Sequence, residues 1–170
     1  MNLFKVFSIT FIRLMLIVLA LHSFQQTALA KDMSSRAGFG FNNEFSNSTW
    51  TKPAPALSLK YGMSRDMAIE GIAGFNTSNP SAVTIGSKLY KNIFYESNLN
   101  FYSAVALAYV KLSESGMEII GVMGAEYFIP GLESLGLQFE AGISGENSTG
   151  TFIVKTVGFT FFNAGMHFYF

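Results

Sequence analysis

The sequence predicts an all-β fold: eight antiparallel strands, running up and down and closed into a transmembrane barrel, behind a cleaved helical signal peptide. Three observations predict it. Beyond residue 31, apolar and polar residues alternate with a period of two, and no stretch repeats apolar residues at helical spacing for three turns. Clusters of turn-forming residues cut the alternation into eight segments. Charged residues make up only 13% of the 170-residue chain while 15% is aromatic, against roughly a quarter charged in soluble globular chains. So little charge implies that much of the surface faces something other than water.

The chain divides into a leader, residues 1–30, and a single domain, residues 31–170. MNLFKVFSITFIR carries Lys5 and Arg13, LMLIVLAL is uncharged and apolar, and HSFQQTALA ends on Ala28-Leu29-Ala30. A basic start, a short apolar run and small residues at Ala28 and Ala30 form the pattern of a secretory signal cut before Lys31. An uncleaved anchor fits less well, because Leu14 to Leu21 falls far short of the about 20 residues that cross a bilayer. The remaining chain holds nine Lys/Arg and eleven Asp/Glu, each count of eleven less Lys5 and Arg13 on the basic side. Its net charge of about −2 supplies no basic patch for nucleic acid. The absence of cysteine from the sequence excludes disulfides and thiolate metal sites.

RAGFGFNNEF (36–45) places Ala37, Phe39 and Phe41 on one face and Gly38, Gly40 and Asn42 on the other. After the loop SNSTWTKPAP, ALSLKYG (56–62) sets Leu57, Leu59 and Tyr61 against Ser58 and Lys60. A tight turn at MSRD leads into MAIEGIAGF (67–75), where Met67, Ile69, Ala73 and Phe75 oppose Ala68, Glu70 and Gly74. Beyond NTSNPS, AVTIGSKLY (82–90) sets Val83, Ile85 and Leu89 against Thr84, Gly86 and Lys88, and KNIFYES reads as the next turn. NLNFYSAVALAYV (98–110) opposes Leu99, Phe101, Val105, Leu107 and Tyr109 to Asn100, Tyr102, Ala104 and Ala106. EIIGVMGAEYF (118–128) alternates least well, since Ile120 and Val122 share a face with Glu118 and Glu126. Past IPGLES, LGLQFEAGIS (135–144) sets Leu137, Phe139 and Ile143 against Gln138, Glu140 and Gly142. The last segment, VGFTFFNAGMHFYF (157–170), opposes Phe162, Ala164, Met166, Phe168 and Phe170 to Asn163, Gly165, His167 and Tyr169, and TFIVK (151–155) either extends it or belongs to the loop before it. Connections this short make hairpins, because parallel neighbours need crossovers of a dozen residues or more.

Residue size and charge decide which face is inside. The polar faces are rich in Gly and Ala, which suit the crowded lumen of an eight-stranded barrel, whereas a soluble barrel would hide its Phe and Leu and show charge outside. Arg36, Lys60, Glu70, Lys88, Glu118, Glu126 and Glu140 all share the small-residue face, with Lys155 the one stray. An Arg or Lys on the lipid side near mid-membrane costs roughly 2–4 kcal/mol. Apolar residues therefore point out, and closure spares edge strands from stranding their backbone groups in lipid.

Counted from the tight turns, Arg36, Lys60, Glu70, Lys88, Glu126 and His167 fall in the half of the lumen nearest the turns, with Glu140 nearer the middle. Opposite charges in so narrow a bore predict a structural hydrogen-bonded ion network. Two readings stand: a plug, because buried charges must be paired, and a gate for small ions. No catalytic, cofactor-binding or metal-binding residue is predicted. Acyl transfer needs a nucleophile beside a positioned base, and His167, the one histidine after the leader, is followed by Phe-Tyr-Phe. One His with scattered carboxylates has no metal-ligand spacing. The loops are short and rich in Ser, Thr and Asn, with Trp50 placed to anchor at an interface or to touch a partner.

GMHFYF, with Met166, Phe168, Tyr169 and the terminal Phe170, resembles the C-terminal signal of bacterial outer-membrane barrels. YGMSRDMAIEG and GAEYFIPGLESLGLQFEAG resemble strand–turn–strand units of the small OmpA/OmpX/opacity-like barrels. That resemblance implies a bacterial outer-membrane address, outer-membrane lipid as surroundings, handling by the barrel-assembly machinery and a monomeric state. The family shares a fold far more than an activity: its members include anchors, adhesins, narrow pores and a few enzymes. His167 lacks the H-x-S pattern of the lipid A deacylases. The expectation is a non-enzymatic integral outer-membrane protein with a surface or structural role and a plugged or very narrow lumen. The alternatives are a narrow channel for small or apolar solutes and, behind it, a lipid A-modifying enzyme. No surface partner is specified.

Overall fold

Strands form where β-branched and aromatic residues alternate with small or polar ones, a pattern that fits a half-buried pleated surface. The computed structural model describes residues 31–42, 56–77, 81–111, 115–147, 151–157 and 163–170. The expected signal peptide, with Ala28 and Ala30, and the loop bearing Trp50 lie outside the described residues. The strands are β1 (Ala37–Asn42), β2 (Ala56–Gly62), β3 (Met67–Asn76), β4 (Ala82–Glu96), β5 (Leu99–Lys111), β6 (Ser115–Ile129), β7 (Leu132–Asn147), β8 (Phe152–Val157) and β9 (Asn163–Tyr169), with no helix among the described residues. Each strand from β1 to β7 pairs antiparallel with the next. β9 pairs with both β7 and β1 and so closes the ring. β8 and β9 lie along the same strand, β7, as two pieces of one stave, so the wall is a closed eight-stranded antiparallel barrel. We call the end with the short reversals at 63–66, 97–98 and 130–131 the turn end, and the opposite end the loop end.

Besides β6 beginning at Ser115 and β7 running on to Asn147, three boundaries differ from the sequence expectation. KNIFYES is strand, not turn: β4 runs through it to Glu96, and the reversal is Ser97–Asn98. A bulge explains the misreading. Asn92 pairs with Tyr102 and Phe94 with Phe101, leaving Ile93 extra, so Ile93 and Phe94 both face out and the period of two breaks. Phe94 then stacks on Phe101 at 4.2 Å between ring centroids. IPGLES shrinks to the two-residue turn Pro130–Gly131, where Gly131 takes φ 83°, a conformation that a residue with a Cβ avoids.

The closing stave is the third. Residues 157–170 read as one strand, but Glu140 and Gly142, two apart on β7, pair with Asn163 and Val157, six apart. The stave thus carries four more residues than the wall beside it, and all of TFIVK but Thr151 belongs to its first piece, β8.

The inside-out distribution holds around the ring. Leu59 (57% exposed), Phe139 (48%) and Ile143 (61%) project outward, while Lys60, Glu70, Lys88, Glu118, Glu126 and Glu140 are buried in the bore. An apolar exterior around a charged interior is the reverse of a water-soluble domain.

Candidate functional site

The lumen near the turn end is crossed by side chains. Lys60 on β2 and Glu126 on β6 stand on opposite sides of the ring, and the ammonium meets the carboxylate at 2.9 Å. Lys88 on β4 reaches Glu140 on β7 and donates to both oxygens at 2.7 Å each. Glu70 on β3 accepts from the Tyr90 hydroxyl, from Asn42 Nδ2 at 3.3 Å and from His167 Nε2 on β9 at 3.1 Å. Lys60, Glu70 and Lys88 are direct neighbours in the strand register, yet both lysines take their partners across the bore.

Tyrosines complete these ties. The Tyr102 hydroxyl donates to Glu140 at 2.6 Å and that of Tyr169 to Glu126 at 2.5 Å. Both ammonium groups approach the Tyr90 ring, Lys60 at 4.2 Å and Lys88 at 5.1 Å from its centroid, and this ring packs edge-to-face with that of Tyr102 at 5.0 Å between centroids. Charge-assisted bonds and cation–π contacts of this kind offset the cost of taking the ions out of water.

Further toward the loop end the filling changes. β5 presents Ala104, Ala106, Ala108 and Val110, packed with Ala56, Ile72, Ile120, Val122 and Val157 in one buried cluster. Ala104 pairs with Val122 and Ala106 with Ile120. Small residues on one strand thus make room for branched ones on the next, which is why Ile120 and Val122 sit inside and blur the alternation of β6. Beyond this layer Glu118 and Glu146 stand directly opposite each other on β6 and β7. Lys155, the expected stray, turns inward between them, 2.8 Å from Glu146 and 3.5 Å from Glu118. It relieves a like-charge pair that would otherwise be unfavourable.

Ser58, His167 and Glu70 come together in a way that invites a hydrolytic reading, and the geometry refuses it. Ser58 Oγ lies 2.7 Å and Glu70 Oε1 3.1 Å from the same nitrogen, Nε2 of His167. A carboxylate that close needs a proton on Nε2, so this nitrogen has no lone pair with which to take one from Ser58. A working triad puts the acid on one ring nitrogen and the nucleophile on the other; here Nδ1 is buried without a partner among the described residues. No group of three potential metal-ligating side chains occurs among the described residues.

Lys60, Glu70, Lys88, Glu126, Glu140 and His167 come together near the turn end. Arg36 stands apart from them among the described residues: it lies half-buried ahead of β1, where its amide donates to the Met33 carbonyl and its carbonyl accepts from the Gly62 amide. At the C-terminus Phe168 and Phe170 face out, Tyr169 is buried and Met166 is half-buried. Sequence reasoning missed the hydroxyls of Tyr90, Tyr102 and Tyr169, together with Asn42 and Ser58, as members of the network. Their parity placed them in the bore beside the lysines, but nothing local says which group a side chain meets on the far wall. No protein-family profile matches the chain, and neither a curated protein nor a solved structure does.

Proposed function

We propose that this chain is a non-enzymatic integral protein of the bacterial outer membrane, with a surface or structural role and a lumen filled by its own side chains. One observation carries the reading: the charged residues span the bore and neutralise one another across it, Lys60 to Glu126 and Lys88 to Glu140, while the wall turns its bulky apolar side chains outward. An apolar exterior suits lipid, where a closed ring leaves no strand edge unpaired. Paired charges and a layer of Ala, Ile and Val within the bore oppose the passage of hydrated ions. In this reading residues 1–30 are the secretory leader, and the ending Met166, Phe168, Tyr169, Phe170 is the mark read by the barrel-assembly machinery. The protein works as a monomer.

The test is twofold. Membrane-fraction protein should resist carbonate extraction and run faster on a gel unboiled than boiled, as a folded membrane barrel does. Purified barrel in a planar bilayer should give no discrete conductance steps. A second reading, a narrow channel for small solutes, draws on buried polar atoms in the lumen without partners among the described residues: both ends of the Gln138 amide, Ser144 Oγ and Glu118 Oε2. Groups of that kind hold water in a protein interior. Reproducible conductance steps would favour the channel.

A further inference from the structure

The segment just before β1 does not run along the wall. From β1 it crosses the turn-end mouth. The Ser35 amide donates to the Gly62 carbonyl on β2 at 2.8 Å, and Ser35 takes φ 61°, a left-handed conformation costly for a residue with a Cβ. The Met33 carbonyl lies against Gly62 so closely that a Cβ there would stand 1.9 Å from its oxygen. The Met33 side chain is buried with Phe128 of β6 and Tyr169 of β9. At the far side Asn100 of β5 donates to the Lys31 carbonyl at 3.1 Å, and the Lys31 ammonium pairs with Glu133 of β7. Five staves are therefore tied by six residues. Tyr169, which Met33 covers, is also the hydroxyl donor to Glu126, the partner of Lys60.

We propose that residues 31–36 are a built-in stopper: this segment, with Met33 as its apolar plug and Lys31 as its far anchor, closes the turn-end mouth and keeps water from the Lys60–Glu126 pair. The inference rests on the filled-lumen reading, and it locates the seal at that end in a displaceable peptide rather than in the wall. Its removal leaves strands β1 to β9 untouched and exposes the ionic layer to solvent. The mouth then becomes a site for a short peptide with an ammonium group and, two residues on, a linear apolar side chain.

The experiment labels the folded barrel in detergent with a charged amine-acylating reagent and follows Lys60 by peptide mass spectrometry, with exposed Lys91 as the internal rate standard. In the intact chain from Lys31 onward, Lys60 should react at least a hundredfold more slowly than Lys91. Deleting residues 31–35 should speed labelling of Lys60 at least tenfold, and a synthetic peptide Lys-Asp-Met-Ser-Ser, but not its Met→Ser analogue, should restore protection. If the deletion does not fold, Met33→Ser in the intact chain, which keeps the backbone contacts, is read the same way. Unchanged labelling of Lys60 in a folded variant of either kind overturns the stopper and leaves the filled lumen standing. Labelling of Lys60 as fast as Lys91 in the intact chain overturns both.

Discussion

The ionic half of the lumen, toward the turns, and the aliphatic layer next to it solve the same packing problem by opposite means. Toward the turns, long charged side chains reach across the bore to partners on distant staves. Next toward the loops, Ala104, Ala106 and Ala108 of β5 leave space that is taken by Ile120 and Val122 of β6 and Ile72 of β3. The difference is one of tolerance. A paired charge in a dry interior depends on one particular partner, whereas an aliphatic group accepts any neighbour of suitable volume. The ionic half should therefore be brittle and the aliphatic layer forgiving.

The largest expected effect lies in the ionic half. Lys88→Met leaves Glu140 buried with the Tyr102 hydroxyl but no cation, and should cost about 3–5 kcal/mol. The readout is the thermal midpoint in detergent, followed as loss of the fast-migrating folded band. Adding Glu140→Leu to that variant should recover at least half of the loss, because two aliphatic groups replace the pair. Failure to recover would mean that the two regions do not differ in the way proposed.

Ala106→Leu, in the aliphatic layer, crowds Ile120 and should cost about 1–3 kcal/mol. A larger loss than that of Lys88→Met would invert the comparison. Tyr102→Phe removes one hydroxyl donor from a carboxylate that keeps Lys88, with an expected cost of about 1.5 kcal/mol.

The smallest effect belongs outside the bore. In the turn after β2, Asp66 accepts from the Tyr95 hydroxyl at 2.6 Å and from Lys91 at 3.2 Å, and these bonds hold its carboxyl below the ordinary value of 3.8. A carboxyl lowered in this way lends stability above its unfolded value and loses it as the pH falls through its folded one. Asp66→Asn should thus lower the midpoint slightly at pH 7 and flatten the acid limb of the stability profile below about pH 4, where the two proteins converge. A shift at pH 7 as large as that of Tyr102→Phe would show that this surface cluster outweighs its exposure.

The barrel was legible because its pattern is local. Leu57, Leu59 and Tyr61 against Ser58 and Lys60 need no knowledge of the rest of the chain. What failed was whatever depends on a neighbour. The bulge at Ile93 made strand look like turn, since the extra residue is defined only by its pairing with β5. The division of the last stave is invisible in VGFTFFNAGMHFYF and appears only in its register on β7. The candidate network was half legible: parity put Lys60, Lys88, Glu126 and Glu140 in one bore, but which lysine meets which acid is fixed by the stagger of the ring. His167 shows the same limit. Its burial against Glu70 and Ser58 follows from the pairing of β9 with β1, which no residue near it announces.

The ring is joined where the first strand meets the last. Gly38–Asn42 of β1 pair with Gly165–Tyr169 of β9, whose other edge lies on β7. A hoop holds only once its final stave is seated, and this wall becomes whole only when β9 has docked on both sides.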